Sequence, residues 1–247
     1  MIKGRGLDAS ALSLLLQQIF DDTELIYGSA ESAALYDSIF DFDAPAGKDV
    51  CDVIDYVAEG TLEEGERTLF RQMTGDMLYY LSLKREEGFK EGLDYLIDTY
   101  ILSKGDVWKS QDDSLKVIGM AKVYDDLLSR SEPGKILPDL KVPGELIDGR
   151  KTRKGDFRLD KLKGERNIVI FYTDGCNVCA AEKKAAGELV KADRKLKVLL
   201  VNVDDILLSS PQLSARLFDS FDLSTLPFIL QTDRKGRIVR RYISLVK

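Results

Sequence analysis

The sequence lacks histidine altogether, and this absence excludes several classes of catalytic site. Ser-His-Asp triads, histidine general bases and most catalytic zinc sites depend on an imidazole. Proton transfer must therefore use carboxylates, lysine, tyrosine or thiols. Cysteine is also scarce, with three residues, so a structural zinc site of four cysteine and histidine ligands would be incomplete.

Long apolar runs are missing as well. No run approaches the roughly 20 residues that a membrane-spanning helix requires. The nearest covers residues 12–20 and is broken by Ser13, Gln17 and Gln18. The first residues do not resemble a secretory signal, because the apolar stretch behind residues 1–6 is short and amphipathic. The sequence leaves two locations open, the cytoplasm or an exported site reached with a leader that has been removed.

Charge is distributed unevenly along the chain. Residues 1–132 carry 13 Lys and Arg against 27 Asp and Glu, whereas residues 133–247 carry 23 against 15. This asymmetry, with the helix-breaking cluster at residues 131–134, predicts two domains, 1–132 and 133–247. The basic charges of the second half are scattered rather than gathered in one tract. They therefore favour docking of the two halves by complementary charge over binding of nucleic acid.

The first half shows the apolar periodicity of helices and no strand-like alternation. A turn-rich stretch at residues 41–47 interrupts the pattern. The predicted helices cover residues 12–20, 33–40, 50–58, 61–85, 88–102 and 115–128. This half is predicted to be an all-α domain, an irregular bundle of helices.

The second half alternates strands and helices. Short β-like pieces at 140–142 and 145–147 come first, and the runs at 167–172 and 197–203 are apolar throughout, as in strands buried on both faces. Further strands are predicted at 228–231 and 238–242, and helices at 176–191 and 211–220. The order predicts a parallel βαβ pair with a right-handed crossover and a terminal antiparallel hairpin.

Cys176 and Cys179 form a C-x-x-C motif that directly follows a predicted buried strand and begins a predicted helix. In a βαβ context this spacing is typical of redox proteins. The first cysteine would lie at the helix N-terminus, where unpaired N–H groups and the helix dipole stabilise a thiolate. The pattern predicts Cys176 as the nucleophile toward a substrate disulfide and Cys179 as the thiol that resolves the mixed disulfide.

Beyond the motif, five segments follow a known pattern. They are Leu137-Pro138-Asp139-Leu140, residues 157–164, residues 168–171 with the C-x-x-C motif, Leu226-Pro227-Phe228, and residues 233–239. Residues 134–247 thereby resemble the thioredoxin superfamily, and more specifically its TlpA/ResA-like thiol–disulfide oxidoreductases. The resemblance implies an α/β thioredoxin-like domain, with a mixed central sheet flanked by helices, preceded by the all-α helical domain.

The resemblance also implies further site residues. Glu182 stands where this subfamily carries an active-site glutamate, and it would accept the proton of Cys179. Leu226 and Pro227 match the cis-proline loop of the superfamily. In that loop, Leu226 would pair with an extended substrate backbone beside the cysteines.

The residues around the cysteines depart from the usual pattern of the family. Gly175 replaces the tryptophan usual before the first cysteine, and Asn177-Val178 replaces the common Gly-Pro or Glu-Pro. We nevertheless expect Gly175, Asn177 and Val178 to contact the substrate. Ile170 occupies the position of a buried aspartate, which leaves Glu182 as the carboxylate expected near the second cysteine.

For function, the resemblance implies thiol–disulfide exchange with protein or peptide substrates. The chemistry would need no metal and no cofactor beyond a redox-active Cys176-Cys179 disulfide. The helical domain would serve as a docking or specificity module. The resemblance further implies a bacterial periplasm or cell envelope, with the cytoplasm as the alternative, and an upstream thiol–disulfide electron donor in the membrane.

Two other functions stay open at this point. The missing tryptophan, proline and buried acid suit a non-catalytic adaptor that uses the fold as a scaffold. Thr173-x-x-Cys176 resembles part of the P-x-x-x-T-x-x-C pattern of thiol peroxidases of the peroxiredoxin family, although Val169 stands in place of the proline. The third cysteine, Cys51, is interpreted as a small buried residue of a helix, with a partnership with Cys176 as the alternative.

Overall fold

The computed structural model describes residues 30–40, 49–63, 67–108, 112–149 and 151–246. The helix predicted over residues 12–20 and the turn predicted at 41–47 lie outside these residues. The chain divides into two compact units, Met1–Asp125 and Asp126–Lys247, whereas the sequence placed the boundary at 132/133. The difference arises because the backbone carbonyl of Leu128 and the side chain of Arg130 form hydrogen bonds within the second unit.

The described part of the first unit consists of helices. They are α1 (Ala30–Phe40), α2 (Val50–Glu63), α3 (Arg67–Leu83), α4 (Glu87–Leu96), a π-helical segment (Ile97–Leu102), α5 (Gly105–Trp108) and α6 (Asp112–Ser129), whose last residues belong to the second unit. The break predicted between residues 58 and 61 is wrong, because α2 continues through these residues to Glu63. None of the helices among the described residues is both long and apolar enough to cross a membrane.

The core of this unit is built around α3, which is buried on most of its circumference. Phe70 and Trp108 are among its largest fully buried or nearly buried side chains. Two of the buried aromatic side chains have their polar atoms paired: Tyr36 donates to the carbonyl of Met73 at 3.0 Å, and the Trp108 indole donates to that of Tyr100 at 3.1 Å. Apolar packing therefore holds the described helices together.

The second unit contains six strands and four helical segments among its described elements, besides the end of α6. The strands are β1 (Lys141–Asp148), β2 (Lys151–Arg158), β3 (Arg166–Tyr172), β4 (Leu196–Asn202), β5 (Phe228–Asp233) and β6 (Ile238–Arg241). The helices are a 3-10 turn (Leu159–Lys161), α7 (Asn177–Ala192), α8 (Val203–Ser209) and α9 (Pro211–Ser220). The strands form one mixed sheet in the order β2-β1-β4-β3-β5-β6.

The predicted βαβ pair and terminal hairpin are confirmed. β3 and β4 are parallel and joined through α7, and β5 pairs antiparallel with both β3 and β6. The sequence missed the extra strand β2, which pairs with all eight residues of β1 at the sheet edge. Its side chains are mostly exposed and charged, so it has no buried face to produce an apolar alternation.

The middle of the sheet determines where a site can form. Ile168, Val169, Ile170 and Phe171 of β3 are each at most 4% exposed, because α7 packs against one face of this strand and Phe221 contacts Phe171 on the other. Three strand ends meet at the carboxyl-terminal edge of the sheet, which is distinct from the lateral edge formed by β2. They are the carboxyl ends of β3 and β4 and the first residue of β5, since Tyr172 lies opposite Asn202 and Phe171 opposite Phe228. Loops that leave this edge bring distant residues together.

Candidate active site

The C-x-x-C motif lies in the short loop that leaves β3 at this edge and enters α7. Gly175 has a φ of +73°, a left-handed conformation that glycine adopts without strain, and it turns the chain toward the helix. Cys176 follows as the N-cap of α7, with extended backbone angles of −90° and 111°. The predicted position of the first cysteine at the start of the helix is thus confirmed.

The two cysteines form a disulfide, with their Cα atoms 5.2 Å apart. Cys176 is partly exposed, whereas Cys179 is completely buried. The backbone N–H of Cys179 donates to the Cys176 sulfur at 3.1 Å. The same N–H, together with the positive end of the helix, would stabilise a Cys176 thiolate after reduction. The Cys176 sulfur is therefore accessible to a partner molecule, and the Cys179 sulfur is shielded from solvent.

The three neighbours expected to contact a substrate surround the accessible cysteine. Gly175, Asn177 and Val178 are all exposed, and the Val178 side chain, although apolar, has 50% of its area in solvent. Their exposure agrees with a contact surface, and their roles remain a prediction.

Leu226 and Pro227 approach from the other side of β3. The peptide bond between them is cis, and both residues are half-buried. They directly precede Phe228, which pairs with Phe171 across the β3–β5 ladder. The register therefore brings this loop to the sheet edge from which the cysteine loop leaves.

Ile170 lies beneath the site in the position where the family pattern has an aspartate. It is fully buried in an apolar cluster with Ala186 and Val190 of α7 and Ile229 of β5. A carboxylate here would be surrounded by hydrocarbon, so isoleucine matches its neighbours.

Glu182 lies on the buried face of α7, one turn beyond Cys179, and is 3% exposed. Its expected role as the proton acceptor of Cys179 stays a prediction, and both of its carboxylate oxygens have hydrogen-bond donors in the segment that follows β6. One oxygen accepts a hydrogen bond from the Ser244 hydroxyl at 2.6 Å, and the other accepts one from the backbone N–H of Leu245 at 2.7 Å. Glu182 therefore anchors the segment that follows β6 to α7.

Replacing Glu182 by glutamine is expected to lower the free energy of unfolding by about 1–3 kcal/mol, because the amide cannot accept at both positions. Urea denaturation measures this loss, and Glu188→Gln, at an exposed position of the same helix, is the matched control. The rate of disulfide reduction and its pH profile should stay at wild-type values. A displaced pH profile in the glutamine variant would instead support the proton-acceptor role.

A closed ring of hydrogen bonds, which sequence reasoning missed, joins the cysteine loop to the start of α8. The Thr173 hydroxyl and, at 3.0 Å, the Asp174 N–H both donate to the same oxygen of Asp204. The Asp204 N–H donates to the Asn202 side-chain oxygen at 3.0 Å, and the Asn202 amide donates to the Asp174 carboxylate at 3.1 Å. We call these four residues the Asp204 ring.

The Asp204 ring has an electrostatic consequence. The hydrogen bond from Thr173, and next the one from the Asp174 backbone, hold the pKa of the Asp204 carboxyl below its ordinary value. A usable signal was present in the sequence, because Asn202 lies at the carboxyl end of a predicted buried strand and Asp204 follows that strand, which places both at the same edge as the motif.

The Thr173 contact also bears on the peroxidase alternative. In that alternative, Thr173 would act together with Cys176. Its hydroxyl instead donates to Asp204. The observed contact therefore gives the peroxidase alternative no support.

Cys51 lies in α2 and is partly exposed. Its thiol is free, because Cys176, the partner considered for it, forms a disulfide with Cys179. Burial, with further contributions from Asp49 and Asp55, raises the pKa of Cys51 to about 11. A thiol with this pKa is almost entirely protonated near neutral pH and is a poor nucleophile.

No family model and no curated protein matches the chain. Solved structures do. A thioredoxin-like protein from Bacteroides caccae ATCC 43185 is 11% identical and has a TM-score of 0.54, over 99% of this chain and 93% of that one. The C-terminal domain of an uncharacterized protein from Bacteroides fragilis NCTC 9343 is 18% identical over 47% of this chain and 93% of that one, with a TM-score of 0.35.

The thioredoxin domain of a thiol-disulfide oxidoreductase from Bacteroides vulgatus is also 18% identical, over 46% of this chain and 89% of that one, with a TM-score of 0.32. The first of the three similarities shows the fold. The chain therefore has a thioredoxin-like fold, with a mixed sheet flanked by helices that follows the helical first unit in the sequence. The finer resemblance to TlpA/ResA-like proteins stays a prediction.

Proposed function

We propose that this protein is a thiol–disulfide oxidoreductase that exchanges disulfides with protein substrates through Cys176 and Cys179. The observation that carries the proposal is the asymmetry of the pair. One sulfur is accessible and accepts a hydrogen bond from the first turn of α7, and the other is fully buried behind it. A buried partner that cannot meet the substrate directly is suited to resolve an intermediate formed on the first sulfur.

The reaction runs in two exchange steps. The Cys176 thiolate attacks one sulfur of the substrate disulfide, a mixed disulfide forms, and the other substrate sulfur leaves as a thiolate. Cys179 then gives its proton to the released substrate thiolate. Cys179 attacks the Cys176 sulfur, the internal disulfide forms, and the second substrate sulfur leaves. Two electrons have passed to the substrate.

The surroundings of the pair extend the proposal to the substrate. Gly175, Asn177 and Val178 on one side, with Leu226 and Pro227 at the same sheet edge, would form the surface on which an extended substrate segment lies. The acidic helical unit would dock or select partners. By family resemblance we assign the protein to a bacterial periplasm or cell envelope, where disulfides persist and a membrane-embedded donor would supply electrons.

An insulin assay with dithiothreitol as the reductant tests the proposal on the full chain. The wild-type protein is expected to accelerate reduction of the insulin disulfides well beyond dithiothreitol alone. Cys51→Ser, which removes the third thiol, is the matched control and should keep the full rate. Wild-type protein that adds nothing to the rate with dithiothreitol would overturn the proposal and support the adaptor alternative. The measured reduction potential of the pair then determines the preferred direction of exchange.

A further inference from the structure

We propose that Asp204 is a positioning residue, which holds the cysteine loop and thereby keeps the Cys176 sulfur at the N-terminus of α7. The proposal rests on the proposed function, because it names a residue that supports the reactive cysteine of the same site. Asp204 lies on a different element from the cysteines, and its connection to them is the Asp204 ring.

The cysteine loop needs an external support. Only residues 173–175 separate the end of β3 from Cys176, and Asp174 and Gly175 are exposed. Packing therefore does not determine the path of this loop, and Gly175 allows more backbone conformations than any other residue. Hydrogen bonds to a rigid element can supply the missing constraint.

Asp204 belongs to such an element. It lies in the first turn of α8, which directly follows β4, and Asn202 caps that helix through the Asp204 N–H. Tyr172 and Asn202 are register partners in the parallel β3–β4 pair. The ring therefore joins the ends of two neighbouring strands, and it fixes Thr173 and Asp174 relative to the sheet.

The position of the loop matters because it places the Cys176 sulfur against a backbone donor of α7. The Cys179 N–H donates to the Cys176 sulfur at 3.1 Å, and a small shift of the loop would lengthen this bond. A thiolate that loses its donor at the helix N-terminus becomes less stable, and the pKa of the cysteine rises. Loss of the Asp204 oxygen should therefore make Cys176 less reactive.

The negative charge of Asp204 has the opposite effect. A carboxylate near a thiol disfavours the thiolate, so removing only its charge should leave Cys176 as reactive or more so. Asp204→Asn separates the two effects, since its amide oxygen can still accept from Thr173 and Asp174 without the charge. Asp204→Ala removes both the charge and the acceptor.

The experiment measures the alkylation rate of Cys176 by iodoacetamide in reduced, full-length protein across pH, with mass spectrometry identifying the modified residue. We expect roughly ten-fold slower alkylation at pH 7 and a raised Cys176 pKa in Asp204→Ala, which corresponds to a displacement of about one pKa unit. Thr173→Val, which removes one donor and keeps the side-chain shape, should be slowed in the same direction. Asp204→Asn and the control Asp205→Ala, at an exposed neighbouring position, should stay within about two-fold of wild type.

Two results would overturn the proposal. Equal acceleration in Asp204→Asn and Asp204→Ala would mean that Asp204 acts by charge alone. Unchanged alkylation in Asp204→Ala and Thr173→Val, with only a lower melting temperature, would mean a purely structural role. If Asp204→Ala does not fold, the alkylation rates of Thr173→Val and Asp204→Asn are compared instead. Slower alkylation in Thr173→Val supports the proposal, and equal rates overturn it. Alkylation needs no substrate disulfide, so inactivity of the wild type toward insulin would count against the proposed function and not against the role of Asp204.

Discussion

Replacing Cys176 by serine is expected to reduce the rate of insulin disulfide reduction to that of dithiothreitol alone. A serine hydroxyl does not ionise near neutral pH and cannot form the mixed disulfide, so no later step can follow. After the rate with dithiothreitol alone is subtracted, we expect the protein-dependent rate to fall by roughly 10³-fold or more, as for removal of a catalytic nucleophile. The variant should remain folded, because Cys176 is partly exposed and serine is itself a favourable N-cap.

Cys179→Ser should fail at a different step. The accessible Cys176 can still attack, but no thiol resolves the product, so a covalent complex with the substrate accumulates. Non-reducing electrophoresis and mass spectrometry detect this complex, and added reductant should cleave its disulfide and release the substrate. Accumulation in Cys176→Ser instead would reverse the two roles. Wild-type rates in both variants would remove the pair from the chemistry.

Replacing Asp76 by asparagine is expected to stabilise the protein above neutral pH and to change how its stability depends on pH. Asp76 lies in α3, is 4% exposed, and one of its carboxylate oxygens has no hydrogen-bond partner among the described residues. Burial raises its pKa to about 7, against about 3.9 for an unfolded aspartate. The folded state therefore binds this proton more tightly than the unfolded state does.

The difference between the folded and unfolded pKa of Asp76 sets the direction in which stability changes with pH. The contribution of Asp76 to stability is fully present below about pH 4 and is lost as the pH rises toward 7, because the folded protein must then bury an ionised carboxylate. Three pKa units correspond to about 4 kcal/mol, which is an upper bound for the cost at pH 8. Asparagine has no charge to bury, so Asp76→Asn should lack this loss.

Urea denaturation of wild type and Asp76→Asn at pH 5, 6, 7 and 8 tests the prediction. The difference in the free energy of unfolding between them should shift in favour of the variant at each step. Asp98→Asn, at an exposed position in the same unit, is the control for loss of one negative charge. A difference that is the same at pH 5 and pH 8 would contradict the prediction.

Much of the fold was predictable because it depends on features close together in the sequence. The apolar runs of β3 and β4 predicted two buried strands, and the spacing of Cys176 and Cys179 predicted a pair at the start of a helix. Both predictions are confirmed. Strand β2 was missed because an edge strand with both faces exposed carries no apolar alternation.

The sequence by itself determined which reactive groups this protein has: it contains no histidine, and its C-x-x-C motif directly follows a buried strand. Only the tertiary structure decided which groups surround the sulfurs. Glu182 finds its donors 62 and 63 residues further along the chain, and Thr173 meets Asp204 31 residues away. Such partners are brought together by the register of the sheet and the path of the chain after each strand. Local sequence encodes the bonding capacity of a side chain, and the fold selects the partner that satisfies it.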